Sequence, residues 1–368
     1  MGERDWPAVA AWAGALGLLC LTAWLAGFDP FSAGTWAHWD STHYESIARG
    51  GYDLHRCTPA ENSGAGTWCG NAAWLPGYPL LIAAVNVVGV SLGWAGVIVS
   101  WLFAVAALVL LRRTFLRDMR PIATAVALIY AAVAPGLVYR YAVYPLSMFV
   151  FLTVAYLALL VRERWSGAGL VGAVAVITYP IGVTLPVVAA AWIVLTYRQG
   201  RARAVALTAS PALAAIALFI VAQRIQTARW TAFFDAQSRY GTGLHNPIGI
   251  TWNSFLLVYR DDHPFGHYRS GELQTLIVAV IVAAVLVHYV ARWRSTSRVD
   301  HLLVIWAAIT WAFPATQANV SLWRHNAALT PIAVLVTRLP RPLQAAAILG
   351  SAAIAVPIAW LYFQNRLV

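Results

Sequence analysis

The sequence predicts an all-α, polytopic membrane protein, and its composition and charge distribution are the observations that predict it. The chain has 368 residues, of which 60% are hydrophobic and only 11% are charged, and its mean hydropathy is +0.66. A soluble domain carries about 25% charged residues, so an ordinary soluble enzyme is excluded. The apolar residues also form blocks long enough to cross a bilayer. We therefore expect several membrane crossings.

The placement of the basic residues excludes a nucleic-acid-binding function despite a formal charge of +11. All 25 basic residues are arginines, and most lie in short clusters between hydrophobic blocks, as in membrane proteins that fix their orientation with positive charge. The N-terminus and these clusters are predicted to be cytoplasmic: Arg112/Arg113/Arg117/Arg120, Arg162/Arg164, Arg198/Arg201/Arg203, Arg292/Arg294/Arg298 and Arg338/Arg341. Most carboxylates then lie outside, so polar chemistry is expected on the extracytoplasmic face.

This alternation predicts a single transmembrane domain over residues 1–368 with about eleven crossings. They are expected near residues 8–28, 94–111, 121–138, 145–161, 167–178, 183–197, 204–222, 273–290, 301–317, 326–338 and 343–361. Long extracytoplasmic loops cover residues 29–93 and 223–272. Residues 74–92 are apolar, but a full crossing there would place the cluster Arg112–Arg120 outside the cell. A re-entrant or interfacial helix is therefore expected. Such a segment needs shielding, which predicts a cavity that opens outward.

The most informative segment of the first loop runs from Trp36 to Tyr52 and predicts a short helix that ends at Gly50 and Gly51. One side of this helix carries residues spaced at i, i+3, i+4 and i+7. They are Asp40, His43, Tyr44 and Ile47. A carboxylate, an imidazole and a phenol therefore share one face next to the membrane.

Asp40 has two interpretations. It suits the N-cap position of the helix, where a carboxylate accepts backbone N–H bonds. Alternatively it is a general base, because a carboxylate at the membrane surface among Trp36, Trp39 and Tyr44 is partly desolvated and has a raised proton affinity. Glu45 is the reserve candidate for the base.

The neighbouring side chains also leave alternatives open. Trp39 and Tyr44 suit the face of a sugar ring, but tryptophan and tyrosine are equally expected in the interfacial belt of a membrane protein. His43 either orients the base or binds a phosphate, or it is an interfacial histidine without a catalytic role.

Several short motifs follow one another along the chain. The first is Trp39-Asp40-x-x-His43-Tyr44-x-x-Ile47-Ala48-x-x-Gly51-Tyr52. The later ones are Trp74-Leu75-Pro76-Gly77-Tyr78-Pro79-Leu80-Leu81, Tyr144-Pro145-Leu146-Ser147-Met148-Phe149, Thr178-Tyr179-Pro180-Ile181-Gly182 and Ser321-Leu322-Trp323-Arg324-His325. Over residues 36–330 this series resembles the PIG-V family, the second mannosyltransferases of GPI-anchor assembly and their bacterial relatives. The corresponding family elements are WD-x-x-HF-x-x-IA-x-x-GY, FFPLYPLL, YSESLF, TRP-x-G and SxxRY.

The resemblance implies a GT-C type glycosyltransferase that inverts the anomeric centre. Mannose would pass from polyprenyl-phosphate-mannose to a lipid- or protein-linked acceptor on the extracytoplasmic face, with Asp40 as general base and without a cofactor. Together with the residue patterns above, this makes Asp40, His43 and Glu45 the candidate catalytic residues. The candidate substrate-binding residues are Trp39, Tyr44, Tyr78, Arg140, Tyr144, Arg324 and His325.

The sequence departs from the family pattern at three places. The acidic residue of the YSESLF-like element is missing, Tyr179 replaces the arginine of TRP-x-G, and His325 replaces an aromatic residue. A lysine-free, alanine- and arginine-rich chain is typical of a high-GC bacterium, so we expect a bacterial plasma membrane and do not carry over the eukaryotic acceptor.

Arg140 and Arg324 are predicted at external helix ends beside aromatic residues. Either guanidinium suits the phosphate of a lipid-linked donor, because its fork makes two charge-assisted hydrogen bonds. The alternative is an arginine that extends to lipid headgroups. Arg324 has the stronger case because the family motif has an arginine there.

Cys57 and Cys69 lie in the first loop and predict a disulfide, since the cell exterior is oxidising. The alternative is two free thiols; Cys20, inside the first helix, is a core residue. In the second loop, Asp261, Asp262, His263 and His267 have the donor types of a divalent-metal site. A solvated loop is the commoner meaning of such a cluster, so no essential metal is expected.

Three other functions remain open at this stage. A transporter or lipid flippase would place ionisable residues within its helices and often shows internal repeats, and neither is evident here. A sugar other than mannose, such as arabinose or glucose, would use the same site. A non-catalytic subunit that supports a membrane-protein partner would tolerate the departures in the later motifs.

Overall fold

A computed structural model of the chain describes residues 5–61, 67–240, 244–259, 267–317 and 322–367, which are predominantly α-helical. In chain order the helices are α1 (Trp6–Leu25), α2 (Ser41–Gly50), α3 (Gly77–Asn86), α4 (Leu92–Thr114), α5 (Pro121–Val133), α6 (Leu146–Val161), α7 (Trp165–Val176), α8 (Thr184–Thr196), α9 (Arg201–Thr227), α10 (Ala232–Ser238), α11 (Pro247–Tyr259), α12 (His267–Ala291), α13 (Arg298–Thr316), α14 (Leu322–His325), α15 (Ala333–Val336) and α16 (Arg341–Phe363). Two short strands, β1 (Leu54–Arg56) and β2 (Trp68–Gly70), pair antiparallel.

Six described helices are long and apolar enough to cross a membrane, which supports a multi-pass membrane protein. They comprise α1, α4, α9, most of α12, α13 and α16. The predicted number of eleven crossings is not confirmed. Four of the other predicted crossings correspond to α5, α6, α7 and α8, which have at most 16 residues each.

The expected crossing at 326–338 is not a continuous α-helix. Its first part is the 3-10 segment Asn326–Ile332, and only the one-turn helix α15 follows it. Pro331 lies inside the segment, and a proline has no N–H to donate to an α-helical hydrogen bond. Hydropathy alone does not register this break. The segment is nevertheless buried, so protein surrounds its irregular backbone.

The outer surface of the helices is apolar. On α9, for example, Leu213, Leu218 and Ile225 have relative exposures of 65%, 70% and 76%. A water-soluble protein would not leave such side chains uncovered along a 27-residue helix. This face of α9 therefore suits contact with lipid.

Small residues allow the helices to approach closely. A Cβ atom at Gly169 of α7 would lie 2.1 Å from the backbone oxygen of Leu207 in α9, so only glycine fits at this crossing. The close approach sets the position of α9, whose far end contacts the first loop.

The first loop is held by α9 and α10 through amide side chains. Gln226 accepts a hydrogen bond of 2.6 Å from the backbone N–H of Tyr52, and Gln223 donates one of 2.7 Å to the carbonyl oxygen of Ala72. Gln237 of α10 donates to the carbonyl oxygen of Ala73. These bonds fix the loop relative to the helices and so fix α2, which ends before Gly51 at a φ of +80°.

The structure joins Cys57 to Cys69 in a disulfide beside the β1–β2 pair. The double substitution Cys57→Ser/Cys69→Ser is expected to reduce stability by about 3 kcal/mol or less, because the disulfide restricts the unfolded chain. Thermal unfolding in detergent and the rate of proteolysis within residues 51–75 are the measurements. The matched control is Cys20→Ser, which removes a thiol from α1. Equal unfolding temperatures and proteolysis rates in the two variants would contradict this prediction.

Candidate active site

Asp40 lies directly before α2, but its side chain does not cap the helix. Its carboxylate instead accepts a charge-assisted hydrogen bond from Nη1 of Arg324, which is 284 residues further along the chain. The side chains are only 21% and 18% exposed, respectively. Asp40 and Arg324 therefore form a largely desolvated ion pair, and helix capping does not explain the position of the carboxylate.

Arg324 has donor groups that Asp40 does not use. Its positive charge acts on the hydroxyl of Tyr179, and its charged carbon lies 5.8 Å from the ring centre of Tyr144. Its Nε has no hydrogen-bond partner within the described residues. This Nε–H is buried, so a bound anion accepts a hydrogen bond from it only after the guanidinium moves.

A hydrogen bond to His325 holds Tyr179 in place. Its hydroxyl lies 2.6 Å from Nδ1 of His325, and both side chains are buried. When the hydroxyl donates its proton to Nδ1 of His325, its lone pairs are left for the guanidinium of Arg324. His325 thus acts on Arg324 through Tyr179, and it has no direct contact with Asp40.

Aromatic rings surround the ion pair. Trp39 and Tyr139 each contact the ring of Tyr362 edge to face, at centroid distances of 5.1 and 5.6 Å. Tyr44 and Tyr144 contact each other in the same way at 6.0 Å. The wall is built from the first loop, the segment after α5 and the end of α16, which limits water around Asp40.

The backbone beside Asp40 is strained. Trp39 has a φ of +48°, a left-handed conformation that costs a side chain other than glycine about 1–3 kcal/mol. The turn directs the Trp39 ring to Tyr362 while Asp40 faces Arg324. Strain of this kind persists where the surrounding contacts hold the backbone, and it is frequent at functional sites.

His43 forms the outer side of the site. Its ring stacks on Trp74 at 3.6 Å, and the edge of Tyr240 from the second loop contacts the same tryptophan at 5.9 Å. Burial lowers the pKa of His43, an effect that the nearby Asp40 opposes and Arg239 reinforces. His43 is therefore neutral at pH 7. One of its ring nitrogens can then accept a hydrogen bond while the other donates one.

Glu45 lies apart from the ion pair. Burial raises its pKa, while the charge that acts on it is that of Arg49 at the end of α2. Arg324 is not among its partners in the described structure. The Glu45 carboxylate therefore has a raised proton affinity, but the arginine beside it is Arg49 and not Arg324.

Two of the other sequence candidates do not contact the ion pair, although the ring of Tyr78 packs edge to face against Tyr44 at 5.5 Å. The Tyr78 hydroxyl donates to the carbonyl oxygen of Gly96 and bonds to Ser100, each at 2.8 Å, so it fastens α3 to α4. Arg140 is only 4% exposed and lies beside Tyr130 and Tyr141, away from Arg324. Neither side chain contacts Asp40.

The described residues contain no group of three or more histidine, cysteine or acidic side chains that could hold a metal. The second-loop candidates Asp261, Asp262 and His263 lie outside the described residues, as does the side chain of His267. Ser321 of the last motif also lies outside them.

Sequence reasoning missed four contributors to the site, namely Tyr139, Tyr179, Tyr240 and Tyr362. The sequence marks Tyr179 only as a departure from a motif, although its hydroxyl bonds to His325 and the charge of Arg324 acts on it. Tyr240 and Tyr362 carried no local signal, because each reaches the site only through the folding of distant segments. The clustering of tyrosines near helix ends was the one available indication, and an interfacial belt gives the same pattern.

No family model matches the chain, and no curated protein matches it either, so the resemblance to the PIG-V family is not confirmed. Solved structures do match. The oligosaccharyltransferase of Archaeoglobus fulgidus in complex with Zn and sulfate aligns with 96% of this chain and 53% of its own, at a TM-score of 0.56 and 12% identity. AglB, the same organism's archaeal oligosaccharyltransferase, in complex with an inhibitory peptide and a dolichol-phosphate gives a TM-score of 0.54 at 12% identity, covering 96% of this chain and 56% of its own.

The similarity shows a shared fold. Over 96% of its length the chain shares its fold with these archaeal oligosaccharyltransferases, and it spans about half the length of the solved chains. At 12% identity the alignment does not extend to activity, substrate or partner. Function has to be argued from the residues around Asp40 and Arg324.

Proposed function

We propose that the protein is an inverting glycosyltransferase that moves mannose from a polyprenyl-phosphate donor to a lipid- or protein-linked hydroxyl acceptor. Asp40 is the general base, and Arg324 binds the donor phosphate. The observation that carries the proposal is the desolvated Asp40–Arg324 pair within a GT-C type fold. The pair brings a carboxylate that can act as a base next to a guanidinium that can bind phosphate. An inverting displacement then requires the two groups to separate, with the anomeric carbon between the acceptor oxygen beside Asp40 and the phosphate on Arg324.

The chemistry follows from this geometry. The acceptor hydroxyl gives its proton to the Asp40 carboxylate as its oxygen forms a bond to the anomeric carbon. The bond between that carbon and the phosphate oxygen breaks, and its electron pair leaves with the polyprenyl phosphate. Arg324 stabilises the charge on the departing phosphate. Attack from the face opposite the phosphate inverts the anomeric centre.

Donor binding also prepares the base. In the structure the Asp40 carboxylate accepts a hydrogen bond from Arg324, so this partner occupies one of its oxygens. A donor phosphate competes for the same guanidinium. As Arg324 turns to the phosphate, that carboxylate oxygen is released to accept the proton of the acceptor hydroxyl. The base is therefore free to act when the donor is in place.

The aromatic wall and His43 complete the proposed site. Trp39, Tyr44 and Tyr144 exclude water and offer ring faces to the sugar. His43, which is neutral, orients the acceptor beside Asp40. The reaction is proposed to take place on the extracytoplasmic face of a bacterial plasma membrane, because the arginine clusters predict that the long loops which build the site are extracytoplasmic.

Tyr179→Phe tests the positioning of Arg324. Removal of one hydroxyl costs about 1 kcal/mol per lost hydrogen bond, so the affinity for a short-chain polyprenyl phosphate should fall about fivefold. The catalytic step with saturating donor should change little. Binding is measured by titration and the step by rapid quench; an unchanged affinity with a slower step would contradict the positioning role.

The activity itself is tested with the protein in lipid nanodiscs. Radiolabelled polyprenyl-phosphate-mannose is supplied with lipids and peptides extracted from bacterial membranes, and the labelled product is isolated. We expect mannose transfer, and weaker transfer from the glucose and arabinose donors. Binding of the donor without transfer would contradict the proposal and favour a non-catalytic subunit. Passage of the donor across a vesicle membrane without transfer would favour a transporter.

A further inference from the structure

Two adjoining cavities lie at the end of the helices opposite Asp40, where the arginine clusters are found. The larger cavity, of about 500 Å³, is formed by the α4–α5 turn, the end of α6 and the start of α13. The smaller cavity, of about 380 Å³, lies between the end of α12 and the start of α13. Ser297 and Arg338 line both cavities. Since α13 has 19 residues, the cavities are about 28 Å from the Arg324 end of that helix.

The larger cavity combines positive charge with apolar walls. Arg120, Arg162 and Arg338 come to it from three separate segments, and Asp118 is the one acidic side chain in its lining. Within the described residues, neither Arg120 nor Arg162 forms an ion pair. Phe115 and Met119, with further aliphatic side chains, form the walls. Such a lining suits an amphiphile with an anionic head better than a free inorganic ion.

The smaller cavity has the same character. Arg292 and His288 line it together with the hydroxyls of Ser295 and Thr296. Its acidic residue, Asp300, is already engaged, because it lies 3.4 Å from Nε of Arg338 and accepts a hydrogen bond of 2.8 Å from the Ser297 hydroxyl. The Ser295 and Thr296 hydroxyls already donate to the carbonyl oxygen of Arg292, at 3.0 and 2.7 Å, so the guanidinium of Arg292 is the main group left for an anion.

We propose that the two cavities together bind a membrane lipid with two phosphodiester groups, one phosphate in each cavity, with Ser297 and Arg338 between them. Each cavity supplies guanidinium groups, which bind phosphate oxygens in pairs. Basic pockets between helices on the cytoplasmic side are suited to such headgroups, since that leaflet is rich in anionic lipid. The inference rests on the cavities alone and is independent of the reaction at Asp40.

The test compares two variants with the same change of charge. Arg120→Gln/Arg162→Gln removes two cavity arginines and leaves the Asp300–Arg338 pair intact. The matched control, Arg201→Gln/Arg203→Gln, removes two exposed arginines from the start of α9, predicted on the same side of the membrane. Delipidated protein is titrated with tetraoleoyl cardiolipin, dioleoyl phosphatidylglycerol or dioleoyl phosphatidylcholine in detergent. Bound lipid is counted by native mass spectrometry, and thermal unfolding is followed in parallel.

We expect cardiolipin to bind at least about tenfold more tightly than phosphatidylglycerol, and the cavity variant to lose about tenfold in cardiolipin affinity while the control does not. An equal loss in both variants would overturn the proposal, because it would show general attraction to positive charge. Equal affinities for cardiolipin and phosphatidylglycerol would also overturn it, since a single phosphate would then suffice. The unfolding temperature without lipid shows whether each variant is folded.

Discussion

Asp40→Asn is expected to reduce the rate of glycosyl transfer by about 10²- to 10⁴-fold, the usual contribution of a positioned general base. Asparagine has nearly the same shape and still accepts a hydrogen bond from Arg324, but it does not take a proton from the acceptor. Steady-state transfer from radiolabelled donor, at saturating donor and acceptor, is the measurement.

The matched control is Asp53→Asn. Asp53 lies in the same loop, is 66% exposed and bonds to His55 rather than to the site. This variant should retain the wild-type rate. A comparable loss in both variants would assign the effect to the loop as a whole, and a fully active Asp40→Asn protein would move the base to Glu45.

Arg324→Gln is expected to lower the affinity for a short-chain polyprenyl phosphate about tenfold to one hundredfold, as a charge-assisted hydrogen bond contributes about 1.5–3 kcal/mol. The substitution also leaves the Asp40 carboxylate unpaired, so it repels the phosphate. Arg324→Lys should recover part of the affinity, because lysine keeps the charge without the planar fork. Isothermal titration in detergent gives the dissociation constants.

Because Asp40 and the phosphate compete for Arg324, substitutions of Asp40 and of Arg324 are expected to change the affinity for polyprenyl phosphate in opposite directions. Asp40→Asn should bind polyprenyl phosphate more tightly than the wild type, since Arg324 is no longer held by a carboxylate. The double variant Asp40→Asn/Arg324→Gln should bind more tightly than Arg324→Gln alone, and the four proteins form a double-mutant cycle. Arg49→Gln, an exposed arginine at the end of α2, is the control. Additive effects of the two substitutions would contradict the competition.

The sequence was sufficient to predict α2 and its face, because local spacing determines which side chains share one side of a helix. It also singled out Asp40 and Arg324 separately. It did not predict that they pair, since 284 residues separate them and only the tertiary fold brings them together. Composition and arginine placement were sufficient to predict a membrane protein, because both are properties of the sequence that do not depend on tertiary contacts.

For two other predictions the structure depends on local backbone geometry, which hydropathy does not describe. The segment at 326–338 is apolar enough to suggest a crossing, but Pro331 replaces the α-helix with a 3-10 segment. Arg140 has the same residue type and aromatic neighbours as Arg324, but the short turn Leu137–Arg140 directs it to Tyr130 and away from the ion pair. The direction of a side chain in an irregular turn depends on packing against distant helices.

A single-turnover experiment tests the central claim most directly. Wild type and Asp40→Asn are loaded with radiolabelled polyprenyl-phosphate-mannose, binding is quantified, acceptor is added, and product is measured with its anomeric configuration. If Asp40 is the base, both proteins hold the donor, only the wild type forms product rapidly, and the product has the inverted configuration. Rapid product formation by the loaded Asp40→Asn protein, or retention of configuration in the wild type, would contradict the mechanism.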